Sequence, residues 1–178
     1  MTAIFTAHKK EQLEADFLAT LRHFVEAMYE FDETVFNQAL DSNTWSGAEL
    51  CSHVVKSLEF IHQKVNGIVR PCERNMEEHI TVLRQMMEDM DAKGKSAEIL
   101  LPAPGFKSRT EMRIALTQAA QALLKDIKTL ELTALCQDMD FPGLGQLTRY
   151  EVICFAAFHM DRHRRQLITI HHALGEKS

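Results

Sequence analysis

Two histidines near the C-terminus are spaced as a metal-binding pair would be. His159 and His163 form an H-x-x-x-H pattern, and on a helix positions i and i+4 lie on one face, one turn apart. Both imidazoles can therefore be directed at one point, and His53, on a separate predicted helix, can supply a third ligand. Three neutral imidazoles around an open coordination position form a reactive divalent-metal site. His53, His159 and His163 are therefore candidate ligands of one metal site.

The same histidines allow a simpler interpretation. His159 and His163 lie in the middle of an apolar helical stripe, and His53 lies at the edge of another. An unsatisfied buried polar group costs about 1–3 kcal/mol, so each imidazole needs a partner. Backbone carbonyls or buried carboxylates could satisfy them as core residues, without any metal. Both interpretations remain open at this point.

Other polar residues near these histidines are weaker candidates. Glu49, one turn before His53, could be a fourth ligand or a general base, but the Ser46-x-x-Glu49 pattern favours a helix-capping role. Gln166 follows His163 by three residues and could orient a water or a substrate, or be an ordinary polar residue. The charged flank of the last helix is expected to be solvated, although its arginines could attract an anionic substrate; the flank comprises Asp161, Arg162, Arg164 and Arg165.

The elements that must position these residues are helical. Apolar residues recur with helical periodicity in five stretches, which are approximately 7–30, 50–65, 76–90, 112–130 and 148–173. Pro and Gly predict loops at 94–107 and 136–145, and residues 32–43 form a polar connection with room for a short helical turn. Three helix starts carry a capping box, namely Ser46/Glu49, Ser108/Glu111 and Thr148/Glu151. Since no useful length alternates like a strand, we predict an all-α antiparallel four-helix bundle with an extra helix.

Length and composition restrict the classes of protein that this chain could belong to. The 178 residues suit a single domain spanning 1–178. A formal net charge of −5 disfavours a nucleic-acid partner, because phosphate binding requires a basic surface. No apolar run is long enough to span a membrane, and the N-terminus shows no signal peptide. We therefore expect a cytoplasmic protein whose four cysteines are reduced and mostly buried.

Two segments resemble the motifs of the DinB-like (DinB/YfiT) superfamily. The first is Trp45-Ser46-x-x-Glu49-Leu50-x-x-His53. The second comprises Leu144-Gly145-Gln146-Leu147-Thr148-x-x-Glu151 and Phe158-His159-x-x-Arg162-His163-x-x-Gln166. The order, the spacing and the helix layout agree over essentially the whole chain, and none of the three histidine positions departs from the pattern.

This resemblance implies a four-helix bundle that is often dimeric. It also implies a divalent metal, usually zinc or nickel, held by His53, His159 and His163. Some relatives are transferases or isomerases that use a low-molecular-weight thiol, others are described only as metal-dependent hydrolases, and many have no known activity. The resemblance does not establish that this chain is an enzyme.

Three functional hypotheses follow. The leading one is a metal-dependent enzyme acting on a small-molecule substrate, either as a thiol-dependent S-transferase or as a hydrolase. The alternative is a non-catalytic metal- or ligand-binding module of a stress response. The third is a structural bundle in which the histidines are hydrogen-bonded core residues. A hydrolase needs a proton-shuttling carboxylate near the metal, whereas a transferase needs a pocket for the thiol beside it.

Overall fold

The structure is a computed structural model that describes residues 2–92 and 96–175, with side chains from residue 8 onward. Its helices are α1 (Thr2–Tyr29), α2 (Glu33–Phe36), α3 (Gly47–Val65), α4 (Ile80–Glu88), α5 (Arg109–Thr129) and α6 (Arg149–Gly175). Its strands are β1 (Val69–Arg70), β2 (Leu135–Phe141) and β3 (Gly145–Thr148). A short 3-10 helix (Glu98–Leu100) lies between α4 and α5.

The four long helices pack in a ring. Helix α1 contacts α5 and α6, and α3 contacts the same two helices from the opposite side. The apolar stripes of all four helices meet in one core, whose wholly buried members include Phe17, Phe24, Leu58, Leu123 and Ile127. Helix α4 packs on the outside of the ring against α6. The predicted four-helix bundle with an extra helix is therefore confirmed.

The capping boxes define the starts of three of these helices. The Ser46 and Ser108 side chains each accept a hydrogen bond from the backbone N–H three residues later, and the glutamate there accepts one in return. Thr148 and Glu151 make the same exchange at the start of α6. Each exchange satisfies backbone donors that the first helical turn leaves free. All three predicted helix starts are confirmed.

A small antiparallel sheet was not predicted from the sequence. β2 pairs with both β1 and β3, so the expectation that no useful stretch forms a strand is wrong for residues 135–148. Most of this region was predicted to be a loop because of Pro142, Gly143 and Gly145. Pro142 and Gly143 lie instead in the turn of a β-hairpin, and Gly145 is the first residue of β3.

The turn between β2 and β3 explains the error. Phe141 accepts a hydrogen bond from the Leu144 N–H at 3.0 Å, and Gly143 has a φ of +78°. Proline at the second position and a positive-φ glycine at the third are typical of a type II turn. The Pro142-Gly143 dipeptide therefore carried a hairpin signal that the loop prediction did not use.

The helix predicted at 76–90 is shorter than expected. Helix α4 spans Ile80–Glu88 only, because the preceding residues form turns that are held by Glu151 of α6. The Glu151 carboxylate accepts a hydrogen bond from the His79 N–H at 2.9 Å and pairs with Arg74 at 2.6 Å. The predicted loop at 94–107 contains the 3-10 helix, and its first two residues, Gly94 and Lys95, lie outside the described residues.

Two further expectations concern the burial of the cysteines and the lack of a helix that could cross a membrane. Cys51, Cys136 and Cys154 are buried, Cys72 is half-buried, and all four are free thiols. In the part of the chain that the structure describes, no helix combines the length and the apolar character that a membrane crossing requires.

Candidate metal centre

The three histidines meet between α3 and α6. Arg149, at the start of α6, donates a hydrogen bond to the Val65 carbonyl at the end of α3, at 2.6 Å, so the two helices run antiparallel. His53 lies in the first half of α3, while His159 and His163 lie one turn apart in the middle of α6. His53 and His163 are buried and His159 is half-buried. The structure therefore brings together all three predicted site residues.

The Nε2 atoms of the three imidazoles converge. Nε2 of His159 lies 2.9 Å from Nε2 of His163 and 3.4 Å from Nε2 of His53. The rings of His53 and His163 are 4.8 Å apart and nearly perpendicular, at 78°. The ligand atoms of the three residues all lie within 4.8 Å of one another. The geometry therefore presents three nitrogen donors around one point.

Two of the three rings have a defined tautomer. The Nδ1–H of His53 donates to the Leu100 carbonyl at 2.9 Å, and the Nδ1–H of His163 donates to Oε1 of Gln166 at 2.6 Å. A neutral imidazole that donates through Nδ1 keeps a lone pair on Nε2. His53 and His163 are therefore oriented by their partners with a free Nε2 lone pair directed at the centre of the cluster.

The surroundings also keep the imidazoles neutral. Burial lowers the pKa of His163 to about 3, and it lowers the pKa of His159 well below the ordinary histidine value, with a further lowering from the neighbouring imidazoles. Burial also lowers the pKa of His53, although the hydrogen bond to Leu100 acts in the opposite direction. Neutral imidazole is the form that binds a metal, so the protonation state suits the predicted role.

The donor set fits a divalent metal ion. At a metal–nitrogen distance of about 2.05 Å, two ligating nitrogens are about 2.9 Å apart at a right angle and about 3.4 Å apart at the tetrahedral angle. The two short Nε2–Nε2 distances, 2.9 and 3.4 Å, match these separations. The cluster could therefore hold a metal through His53, His159 and His163.

The weaker sequence candidates have different outcomes. Glu49 is occupied by its capping box, where its carboxylate accepts hydrogen bonds from the Ser46 backbone N–H at 2.9 Å and hydroxyl at 3.1 Å. Gln166 is a hydrogen-bond partner of His163, which the sequence could not distinguish from an ordinary polar role. Because a backbone carbonyl has no sequence signature, the contribution of Leu100 was not predicted.

Arg162 corrects the prediction of a solvated flank. Its guanidinium donates to the carbonyls of Met87, Asp89 and Ala92, so it joins α6 to the end of α4. Arg162 also lines the same cavity as the histidines. Its position three residues after His159 places it on the same helical face, a signal that could have identified it.

A large cavity opens beside the histidine cluster. Its volume is about 1740 Å³, and all three histidines line it. Ligand cavities are typically about 300–1,000 Å³, so this one has ample room for small molecules. Aromatic rings lie directly against the cluster: Trp45 is 4.9 Å from the His53 ring, and Phe155 is 5.6 Å from the His159 ring.

Comparison with known proteins identifies the family. No curated protein and no solved structure matches the chain significantly. A family model described as the DinB superfamily matches residues 14–167, a segment that contains all three histidines, the whole of α3 and the β-hairpin. The motifs around His53 and around His159 and His163, together with the bundle that positions them, agree with this match, and the chain belongs to the DinB superfamily.

Proposed function

We propose that this protein is a metal-dependent enzyme that acts on a small molecule, with zinc or nickel held by His53, His159 and His163. The observation that carries the proposal is the convergence of three Nε2 atoms at the wall of a large cavity. A bound divalent metal would supply Lewis acidity, which lowers the pKa of a thiol or water near it towards neutrality. Leu100 and Gln166 orient two of the ligands, and the aromatic rings limit the access of bulk water.

Between the two reactions, the arrangement favours thiol transfer. A hydrolase needs a carboxylate that moves a proton from water, and Glu49, the candidate from the sequence, is engaged in capping α3. Of the carboxylates that line the cavity, Asp89 and Asp138 accept backbone hydrogen bonds. The cavity is large enough for two reactants at once. In the transfer, the thiol sulfur forms a bond to an electrophilic carbon, the leaving group departs with the electron pair of the broken bond, and the thiol proton passes to solvent. The cosubstrate would be a low-molecular-weight thiol.

The assembly and the location of the protein are also proposals. The resemblance to family members that are often dimeric supports a homodimer. The net charge of −5 supports a function without nucleic acid, since phosphate binding requires a basic surface. We propose a cytoplasmic protein that works without a membrane partner.

The first test is the metal content of protein purified without a His tag. We expect about one zinc or nickel ion per chain, and loss of that ion in both His53→Ala and His159→Ala. His62→Ala is the matched control, because His62 lies on the same helix as His53 but contacts Asp126 of α5 instead. Turnover is then measured by following the consumption of a thiol in the presence of a set of electrophiles.

The two other hypotheses predict different results. A bound metal that raises the melting temperature but supports no turnover with any thiol or electrophile would indicate a non-catalytic binding module. No metal in the purified protein, and none taken up on addition, would indicate a structural cluster. In that case His159 would donate through Nε2–H to His163, across the 2.9 Å separation of the two atoms.

A further inference from the structure

The cavity extends to both sides of the histidine cluster, and its hairpin end is rich in aromatic side chains. Because α3 and α6 are antiparallel, Phe60, which follows His53, and Phe155, which precedes His159, lie on the same side of the histidine cluster. The β2–β3 hairpin adds Met139 and Phe141 at that end. The opposite end is mixed, with the polar side chains of Asn43, Thr44, Gln166 and Thr169 beside the apolar ones of Leu40, Trp45 and Ile170.

The hairpin end is built to contact an aromatic molecule. Phe60, Met139, Phe141 and Phe155 are all half-buried, so part of each side chain still faces the cavity. The rings of Phe141 and Phe155 are 4.8 Å apart at 75°, an edge-to-face arrangement that a further ring could extend. A methionine beside them adapts its shape to different partners and makes favourable contacts with ring edges.

The charges around this end do not favour an anion. Asp138 and Asp140, on the same strand as Met139, line the cavity, and Lys64 is the neighbouring cation. The Lys64 ammonium already lies over the Phe60 ring, 5.2 Å from its centre, and Asp138 accepts a hydrogen bond from the Ile68 N–H. Two carboxylates against one ammonium repel a negatively charged ligand.

We propose that the hairpin end of the cavity binds an uncharged aromatic substrate, with its reactive carbon towards the three histidines. Phe60, Met139, Phe141 and Phe155 form the specificity-determining wall. The opposite end, where Gln166 and other polar side chains lie, is then left for the hydrophilic thiol cosubstrate. This inference rests on the proposed function in placing the reaction at the histidine cluster, but the binding of an aromatic molecule is measurable without any metal.

The test uses N-phenyl-1-naphthylamine, an uncharged aromatic probe that becomes fluorescent in apolar surroundings. The full-length wild-type protein is expected to bind about one probe per chain with a micromolar Kd. Phe141→Asp is expected to weaken binding at least about tenfold, because it places a charge in the aromatic wall. Phe106→Asp is the matched control, because Phe106 is 70% exposed and lies outside the cavity. The affinity of this variant for the probe should stay within about twofold of that of wild type.

Two further measurements keep the outcome decisive. If circular dichroism shows that Phe141→Asp is misfolded, Phe60→Asp on α3 replaces it in the comparison. Wild type is expected to bind the probe equally well with and without EDTA, so a missing metal and a missing aromatic site give separate results. The proposal is overturned by no saturable binding to wild type, or by equal weakening in the Phe106 and Phe141 variants. Binding of the sulfonated analogue, 8-anilino-1-naphthalenesulfonate, as tightly as the uncharged probe also overturns it.

Discussion

Replacement of Gln166 by leucine tests whether the hydrogen bond to His163 prepares that imidazole for a metal. Gln166 accepts the Nδ1–H of His163 at 2.6 Å, and leucine has a similar size but no acceptor. In the metal-free variant, His163 can move its proton to Nε2 and donate to His159, 2.9 Å away. A metal bound to Nε2 prevents this change of tautomer, so the Nδ1–H of His163 remains buried without a partner.

The expected loss of affinity follows from this difference. An unsatisfied buried donor costs about 1–3 kcal/mol, and about 1.4 kcal/mol corresponds to a factor of ten, so the Kd for zinc should rise about 5- to 150-fold. Removal of a hydrogen-bond partner of a ligating histidine typically costs about 10- to 100-fold. The Kd is measured at neutral pH by competition with a chromophoric chelator. Gln85→Leu is the control, since Gln85 lines the same cavity from α4.

A Kd for Gln166→Leu within about twofold of wild type would refute the reasoning. An equal loss in the Gln85 variant would also refute it, because it would show a general effect of the cavity wall. A large loss confined to Gln166→Leu would show that the amide positions the ligand.

Three other predictions follow from the structure. Trp45 is the only tryptophan, and its ring lies 4.9 Å from that of His53. Ni²⁺ is therefore expected to quench the tryptophan fluorescence saturably, and Zn²⁺ is expected to compete with Ni²⁺. No quenching in the folded protein would contradict a metal on His53. The ion pair with Arg74 and backbone hydrogen bonds outweigh the effect of burial and lower the pKa of Glu151. The Glu151 carboxylate therefore stabilises the fold above about pH 4.5, and this contribution is lost as pH falls below that value. Urea unfolding should show that Glu151→Gln is about 3–5 kcal/mol less stable than wild type at neutral pH, with a smaller difference in acid. Gly143→Ala should cost about 1–2 kcal/mol in the same assay, because φ is +78° there, and an unchanged midpoint would show that the turn accommodates a side chain.

The helices were predictable because their signals are local and agree with one another. Periodicity placed the four long helices, and the capping boxes placed three of their starts independently. The end of α4 nearest to Glu151 was not predictable, since the turns before Ile80 are held by a carboxylate more than 70 residues away in sequence. The strands were missed because β1 has only two residues and β2 alternates exposed aspartates with half-buried Met139 and Phe141 over only a short stretch.

Part of the candidate site, too, could be predicted from local sequence signals, and part could not. His159 and His163 could be paired from their spacing, because the pitch of a helix fixes it. His53 could be added from its place on an inward face and from the family resemblance. The Leu100 carbonyl and the aromatic wall of the cavity could not be derived, because they depend on how distant segments meet in the folded chain.

The division of the ligands between two helices has a consequence for how the site would respond to sequence change. Helical pitch fixes the offset between His159 and His163, whereas the separation of His53 from them depends on how closely α3 packs against α6. Ions of different radius and preferred coordination angle require different nitrogen–nitrogen separations. A change of volume in the buried side chains between the two helices would alter that spacing without touching a ligand, and Val54, Leu58 and Ala156 are buried core residues of α3 and α6. The metal that the site prefers would then depend on the volume of the hydrophobic interior. It would differ among homologues even where all three histidines are retained.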